Sequence, residues 1–298
     1  MRILLPTSGR RASRRGGFAL LMALVLIALA ACAMTRMATG SLQLIQRGTI
    51  AQRELQEKWA LVSCRMALVD RTGALLGQAA EEQMALGYGW PFPNRLVVDY
   101  ELAGKRYHVE LADEDAKLNL NSLAARRPEK LLPSLSQAAV YGAIPLRLRP
   151  HAPIGGARGP AYTSWGQVVE LARLDRDEQL AEYLRPLTQS WTCWGTGKTN
   201  VQRATDETLR LALEGSLPPS EVEKLLEARR GYLGEWDALV ESLDIPRRHW
   251  VRAKPLLGIE STSYSGWISE FDNGASRSWL VVYDPTSRQW PPLRVFPW

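Results

Sequence analysis

The chain has 298 residues, of which 46% are apolar and 23% charged, and its formal net charge is +6 at pH 7. This apolar content supports a real hydrophobic core, and the length allows one large or two modest domains. Five arginines and no acid precede residue 18, so the positive excess is local and does not indicate a nucleic-acid partner. The three cysteines, Cys32, Cys64 and Cys193, are too few for a disulfide scaffold, and whether Cys64 and Cys193 are paired stays open.

An uncharged apolar run begins abruptly at Phe18, directly after Gly17, and continues to Met34. A helix rises about 1.5 Å per residue, so this run is about 26 Å long, near the lower limit for crossing a bilayer. We therefore predict that residues 18–36 form the transmembrane half of a long helix. Positive charge stays on the cytoplasmic side of a membrane, so the bulk of the chain is expected outside the cytoplasm.

Three kinds of N-terminal signal fit this run. An ordinary secretory signal would be cut after small residues. A lipoprotein signal would end at Cys32, since Leu29-Ala30-Ala31-Cys32 has the lipobox spacing. A prepilin-like leader, residues 1–17, would be cut between Gly17 and Phe18 and leave the apolar helix in place. We favour the third interpretation, because the apolar run starts directly after Gly17 and no polar linker follows Cys32.

The N-terminal helix is predicted to cover residues 18–75, since no proline interrupts it and Gly73 provides a helix stop. Past the membrane half, one apolar stripe repeats at steps of three and four residues, which predicts the face that packs on the protein's own sheet. The stripe consists of Leu55, Trp59, Val62, Met66 and Val69.

Residues 76–121 are predicted to form the first part of a β domain. Two alternating runs, residues 96–102 and 105–111, flank Ala103 and Gly104 and predict a β-hairpin. Residues 256–298 are predicted to complete the domain, with a hairpin turn at Asn273-Gly274. The predicted C-terminal strands are residues 258–271, 277–284 and 289–295.

Residues 122–255 are predicted to form an inserted helical domain of two related helical units. A weak internal repeat around Trp165 and Trp236 supports the two units. Ser220 and Glu223 have the spacing of a capping box, and residues 146–160 are expected to form an exposed loop. The predicted helices are residues 164–174, 178–185, 205–213, 219–230 and 235–243.

Four segments follow one another along nearly the whole chain: Arg14-Arg15-Gly16-Gly17-Phe18, Asp113-Glu114-Asp115-Ala116-Lys117-Leu118-Asn119-Leu120-Asn121, Gly197-Lys198-Thr199-Asn200-Val201-Gln202-Arg203-Ala204, and residues 264–283. In this order they resemble the K-type minor pseudopilin of type II secretion (general secretion pathway protein K). Met22 stands where other pilins carry a glutamate, which agrees with this family, whereas Gln202 replaces the family's second asparagine. The resemblance and the element order predict an α+β, pilin-like fold: a long N-terminal helix packed on a small antiparallel sheet, with a large all-α domain inserted between the strands.

This resemblance implies a non-enzymatic tip subunit that helps to initiate and cap the pseudopilus for protein export across the outer membrane. It implies cleavage after Gly17 by prepilin peptidase, N-methylation of Phe18, and assembly with the I- and J-type minor pseudopilins, without nucleic acid. It also implies a single-pass inner-membrane protein whose C-terminal domain is periplasmic. K-type relatives bind calcium in the helical insert, so the family implies a structural calcium ion, for which no ligand is assignable here. The family-motif turns contain Asp113, Glu114, Lys117, Asn119, Asn121 and Asn200.

Other sequence patterns do not predict a catalytic or cofactor site. The run from Gly195 to Thr199 resembles a phosphate loop, but Thr192 stands where the loop needs a glycine. The acidic run from Asp113 begins like a calcium loop, but Lys117 occupies a ligand position, so we expect its carboxylates to cap a turn. The histidines, which have no neighbour at metal or triad spacing, are His108, His151 and His249.

The sequence leaves two alternative functions open. One is a lipoprotein anchored at Cys32 that scaffolds a periplasmic complex. The other is a pilin-like protein of a type IV pilus or of DNA uptake. The helical segment around Gly215 resembles a helix-hairpin-helix unit, but the two prolines that follow lack the N–H groups that would meet a phosphate, so protein packing is the better interpretation.

Overall fold

The computed structural model describes residues 14–102, 104–138, 146–148, 162–170, 177–272, 275–285 and 293–297. Its contacts divide the chain into two compact units at Trp59 and Ala60, and each unit is described by itself. The elements in chain order are α1 (Arg14–Ala67), α2 (Thr72–Ala85), β1 (Arg95–Leu102), β2 (Lys105–Asp113), β3 (Leu118–Asn119), α3 (Leu120–Arg126), α4 (Pro128–Ala138), α5 (Asp177–Ser190), β4 (Trp191–Thr192), β5 (Thr199–Asn200), α6 (Asp206–Leu213), α7 (Pro219–Arg229), α8 (Trp236–Ser242), α9 (Arg247–Ala253), β6 (Leu257–Gly258), β7 (Tyr264–Asp272), β8 (Ala275–Tyr283) and β9 (Leu293–Pro297).

The first unit is the exposed part of α1. Its large apolar side chains face outwards, among them Phe18 (70% exposed), Met22 and Ile45. Within the described residues, one helix is long and apolar enough to cross a membrane, judged by length and composition. This candidate span begins at Phe18, four residues into α1, where the apolar run of the sequence begins.

The helix does not stop at Gly73, so that prediction is wrong. A short 3-10 turn, Val69–Arg71, follows α1, and α2 then continues through Gly73 to Ala85. A Cβ at Gly73 would lie 2.7 Å from the Tyr264 hydroxyl oxygen, so the absence of a side chain lets the Tyr264 ring pack on the helix. The glycine here permits close packing and does not terminate the helix.

The apolar stripe predicted to face the sheet is largely exposed, so this prediction is also wrong. Trp59, Val62 and Met66 all lie on the solvent side, and of the stripe only Val69 is buried. The buried face instead carries Ala60 and Cys64, whose small side chains let the helix approach the strands closely. The strand residues buried with them are Tyr107, Val109, Leu111, Ile268 and Val281.

A single five-stranded antiparallel sheet, in the order β1-β2-β7-β8-β9, forms the centre of the second unit. The β1–β2 hairpin predicted from the alternating sequence is confirmed, with Leu102 paired to Lys105 beside the turn. Three C-terminal strands are also confirmed, although β7 begins at Tyr264, later than predicted. The predicted turn at Asn273-Gly274 lies outside the described residues.

In the sequence, the helices α3 to α9 all come between β2 and β7. In the sheet, these two strands are direct neighbours. Asp113, the last residue of β2, pairs directly with Tyr264, the first residue of β7. One face of the sheet packs on the end of the N-terminal helix, while Trp267, Leu280 and Val282 belong to a core shared with the insert. The predicted α+β class, with helices inserted between the strands, is therefore confirmed.

Four of the predicted helices are confirmed as α5, α6, α7 and α8. The predicted helix at 164–174 is wrong over its described part, because only a 3-10 turn, Trp165–Gln167, forms there. Val169 then pairs in an isolated bridge with Leu146, and Trp165, Val168 and Val169 are all buried. Val169 is thus held by a strand-like bridge and not by a further helical turn, and the repeat partner at Trp236 instead begins α8.

The predicted capping box at Ser220 is not formed. Helix α7 begins at Pro219 after the N-cap residue Pro218, which puts Ser220 inside the first turn. Glu223 is bound elsewhere, since its carboxylate accepts a hydrogen bond from Arg210 Nε at 2.7 Å. A proline at the first helical position needs no N–H partner, so this helix start is stable without the box.

Candidate functional site

The residues of the two central family motifs converge on a buried polar cluster between the sheet and the insert. We call this cluster the polar junction; it is formed by residues 113–121, 192–200 and 261–265. Of the six predicted turn residues, all are buried except Asn121, which is half-buried. Three stretches far apart in sequence are therefore joined by polar contacts at one place.

Asp115 forms the centre of the polar junction. Its Oδ1 accepts hydrogen bonds from the Thr196 backbone N–H (3.0 Å) and from the Thr196 hydroxyl (3.1 Å). Its Oδ2 accepts from the backbone N–H groups of Thr262 (2.8 Å) and Ser263 (3.1 Å). One carboxylate thus fixes the turn after β4 and the segment that enters β7. Hydrogen bonds to charged acceptors are stronger than neutral ones, which makes this a stable connection.

Asp113 links the same strand end to a different set of groups. Its Oδ1 accepts from the Asp115 backbone N–H at 2.9 Å, and its Oδ2 accepts from the Ser261 hydroxyl at 2.5 Å. Arg203 Nε lies 3.8 Å from Oδ2. Burial raises the pKa of Asp113 to about 7, against the opposing effects of the Ser261 hydrogen bond and the Arg203 charge.

Glu114 and Lys117 form a buried ion pair in which the Lys117 ammonium donates to Glu114 Oε1. The Glu114 carboxylate also accepts from the hydroxyl groups of Thr192 and Ser265. The ion pair therefore has hydrogen-bonded partners on both sides, as buried charges require. The contacts join β7 to the end of β4 through the turn after β2.

The three predicted asparagines hold turns by side-chain hydrogen bonds. Asn119 is the N-cap of α3, accepting from the Ser122 N–H at 3.0 Å and donating to the Trp194 carbonyl at 2.6 Å. Asn121 donates to the Tyr162 and Cys193 carbonyls, both at 2.9 Å. Asn200 donates to the Ser261 hydroxyl at 2.6 Å and accepts from the Gln202 N–H at 2.9 Å. Asn119 and Asn121 thus bind the segment after β4, while Asn200 joins Asp113 at Ser261.

Several junction residues were missed by the sequence reasoning. Ser261, Thr262 and Ser263 supply hydroxyl and N–H donors to both aspartates, and a run of hydroxyl residues directly before a strand was the available signal. Arg203, next to the polar junction, was also missed; it donates to the Pro93 and Leu76 carbonyls and connects the insert to α2.

The acidic run does not fit a calcium ion. Glu114 is neutralised by the Lys117 ammonium, and both oxygens of Asp115 already accept hydrogen bonds from N–H and O–H donors. Calcium needs six to eight oxygen ligands, which these bonded carboxylates do not offer. Among the described residues no group of three or more His, Cys, Asp or Glu is placed to hold a metal. The polar junction is therefore not the calcium site that the family resemblance implies.

The run from Gly195 to Thr199 forms a turn and not a phosphate loop. Gly195 and Gly197 have positive φ angles of 89° and 78°, and Thr199 enters the short strand β5 with no helix directly behind it. A phosphate loop needs a following helix, so the structure agrees with the sequence argument against one.

Two of the three histidines, both half-buried, lie beside carboxylates. His108 Nδ1 lies 2.6 Å from Asp99 Oδ1, and His249 Nδ1 lies 2.9 Å from Glu221 Oε2. His151 lies outside the described residues. The His108 pair joins two neighbouring strands and the His249 pair joins two helices, so both contacts support the fold.

The predicted processing residues lie near the start of α1. Gly17 and Phe18 are both in helical conformation, and the Phe18 ring is 70% exposed. Cys32 is exposed on the same helix, whereas Cys64 and Cys193 are buried and are not joined to each other. Burial raises the pKa of the Cys64 thiol, whose sulfur contacts the Tyr100 hydroxyl.

The polar junction connects separate segments of the chain, since nearly every charge in it is paired or hydrogen-bonded with another group of the same chain. No family model matches this sequence, and no curated protein matches it. One solved structure with a similar chain is the crystal structure of the GspK–GspI–GspJ complex of the enterotoxigenic Escherichia coli type 2 secretion system. The similarity covers 83% of this chain and 97% of that chain, with a TM-score of 0.42 and 14% sequence identity.

Proposed function

We propose that this chain is a K-type minor pseudopilin of a type II secretion system. It would act without enzymatic activity, as a tip subunit that helps to initiate and cap the pseudopilus for protein export across the outer membrane. The proposal is supported by the family motifs of the sequence together with the element order of the structure.

The observation that carries the proposal is the position of the helical block. Helices α3 to α9 interrupt one small antiparallel sheet between two paired strands, at Asp113 and Tyr264. A sheet with a helix at its N-terminal side is the common frame of pilin-like subunits, and a large insert in it suits a subunit that others do not stack upon. The insert would cap the fibre because it leaves no room for a further subunit.

The N-terminal helix supports the membrane part of the proposal. It is apolar from Phe18 onwards and basic before it, which suits a single-pass inner-membrane protein with a periplasmic C-terminal domain. Met22 stands at the fifth position after the proposed cleavage site. A carboxylate there is costly in lipid unless a neighbouring subunit pairs with it, so an apolar residue suits a subunit with nothing above it.

The proposed partners are prepilin peptidase, the I- and J-type minor pseudopilins, and the pseudopilus that they initiate. The peptidase would cut after Gly17 and methylate the new Phe18 amine. We would test assembly by cross-linking a Met22→Cys variant to partner pseudopilins in a secreting cell. The complete absence of cross-links in a functioning system would contradict the proposal.

Mass spectrometry of the native mature N-terminus tests the assignment most directly. A chain that begins with N-methylated Phe18 is expected, and Gly17→Val is expected to abolish processing. A diacylglyceryl group on Cys32 would instead establish the lipoprotein alternative. Cleavage after small residues further along the apolar run would establish an ordinary secretory signal, and either result would overturn the proposal.

A further inference from the structure

Helix α9, Arg247–Ala253, presents a strongly basic face outside the polar junction. Its exposed side chains are Arg247, Arg248, Arg252 and Val251, the last of which is 65% exposed. At 100° per residue these four positions share one continuous arc of the helix. We call this arc the arginine face.

The opposite side of α9 is fixed to the insert. Ala253 is fully buried, and the Trp250 ring packs against the Trp236 ring with centroids 5.8 Å apart. His249 Nδ1 lies 2.9 Å from Glu221 Oε2 at the start of α7. The apolar side of this helix is therefore used by the core, and the arginine face is held in a defined position.

The arginines of this face differ from the others in the same part of the chain. Between residues 177 and 272, every arginine outside α9 binds a carboxylate or a carbonyl of the protein; these are Arg185, Arg203, Arg210, Arg229 and Arg230. Within the described residues, no ion pair is formed by Arg247, Arg248 or Arg252. Three guanidinium groups on about two turns of helix repel one another, so the fold gains nothing from placing them together.

We propose that the arginine face docks an acidic segment of a partner protein. Guanidinium groups bind carboxylates in a planar, two-bonded geometry, and arginine and tryptophan are enriched among the residues that dominate protein interfaces. Val251 supplies an apolar centre between the arginines, and the half-buried Trp250 borders it. The partner segment is expected to present two or more carboxylates spaced by about one helical turn around an apolar residue.

The structure favours a protein over a membrane as the occupant. A helix that lies on a bilayer inserts its apolar face, whereas the apolar face of α9 is packed against Trp236 and the buried core. A protein is also favoured over nucleic acid, because Val251 at the centre would have no phosphate to meet. The arginine face lies wholly within the insert, so it could dock such a segment whether or not the chain is a pseudopilin.

The test measures binding of a fluorescein-labelled 15-residue poly-L-glutamate to the detergent-solubilised full chain by fluorescence anisotropy. The face variant is Arg247→Gln, Arg248→Gln and Arg252→Gln combined. The matched control removes three exposed cations elsewhere, Arg106, Lys224 and Arg95, by the same change to Gln. Both variants lose the same net charge, so they separate a local face from the overall charge.

We expect the face variant to weaken binding about tenfold, and the control less than about threefold. Equal weakening in both variants, or no binding by the unchanged chain, would overturn the proposal. Face-dependent binding of phosphatidylglycerol vesicles or of duplex DNA, in the absence of face-dependent poly-L-glutamate binding, would overturn it in favour of those occupants. If the triple variant does not fold, Val251→Asp puts a carboxylate at the centre of the face and is expected to weaken binding, while an unchanged affinity would contradict the proposal.

Discussion

Arg229 Nη2 donates to Asp206 Oδ1 over 2.7 Å, although the side chain of Arg229, the last residue of α7, is fully buried. Its Nη1 donates to the backbone carbonyls of Val201 (2.7 Å) and Ala204 (2.8 Å). One guanidinium therefore holds the start of α6 and the turn before it against α7.

Replacing Arg229 with Met is expected to lower the free energy of unfolding by about 3 kcal/mol, because two carbonyls and a carboxylate lose a buried partner. Urea unfolding followed by circular dichroism measures this. Arg230→Met is the matched control, since Arg230 binds the other oxygen of Asp206 from an exposed position and its loss should matter much less. Equal destabilisation by the two variants would contradict the importance of the buried contact.

The raised pKa of Asp113 predicts a pH dependence of stability. Burial raises this pKa to about 7 from an ordinary value of 3.8, so between these values the folded chain binds more protons than the unfolded chain. Stability from this group is therefore greatest below about pH 4 and falls as the pH rises. We compare the unfolding free energy of the natural chain with that of Asp113→Asn. The value for the natural chain minus the value for the variant is expected to fall by about 2 kcal/mol as the pH rises from roughly 5 to 7.

This difference is measured by urea unfolding of both proteins at several pH values. The comparison removes the contribution of all other titrating groups, since both chains share them. A difference that stays constant over the range, or one that rises, would show that Asp113 is ionised throughout in the folded chain.

Replacing Asp115 with Asn is expected to cost at least about 3 kcal/mol of stability, although the shape is unchanged. The amide would turn an NH₂ group towards backbone N–H donors, either at Thr196 or at Thr262 and Ser263. Thermal and urea unfolding would measure the loss. Asp244→Asn, at an exposed position, is the control and should be nearly neutral; a neutral Asp115→Asn would refute the central role of this carboxylate.

Two glycines provide a matched pair with opposite expected effects. A Cβ at Gly89 would lie 2.3 Å from the carbonyl carbon of Gly231, so Gly89→Ala should destabilise the protein by about 1–3 kcal/mol. A Cβ at Gly77, inside α2, would have no heavy atom within 4 Å, so Gly77→Ala should stabilise by up to about 1 kcal/mol. The melting temperatures should move in opposite directions, and a shift of the same sign in both would contradict this.

The strands of the five-stranded sheet and four helices of the insert, α5 to α8, could be predicted because their signals are local. The β1–β2 hairpin follows from alternation around Gly104, and α6 forms within the predicted helix at 205–213. Such features depend on residues that are near one another in sequence.

The face of the N-terminal helix could not be predicted, because hydrophobicity alone does not determine what packs on a sheet. Trp59 and Met66 form the more apolar stripe, yet Ala60 and Cys64 are buried, since small side chains allow close approach. The hydrogen-bond donors of the polar junction could not be predicted either. The acidic run is visible in the sequence, but its donors at Thr196 and Ser263 come from distant segments that only the fold brings near.

The pairing of Asp113 with Tyr264 means that the chain leaves the sheet and returns to it at a single point. A short reverse turn could span the same gap, and β1, β2, β7, β8 and β9 would then form an uninterrupted meander. The cost of closing a loop grows only slowly with its length, so such a sheet could acquire a whole helical module in one genetic event without changing its strand order.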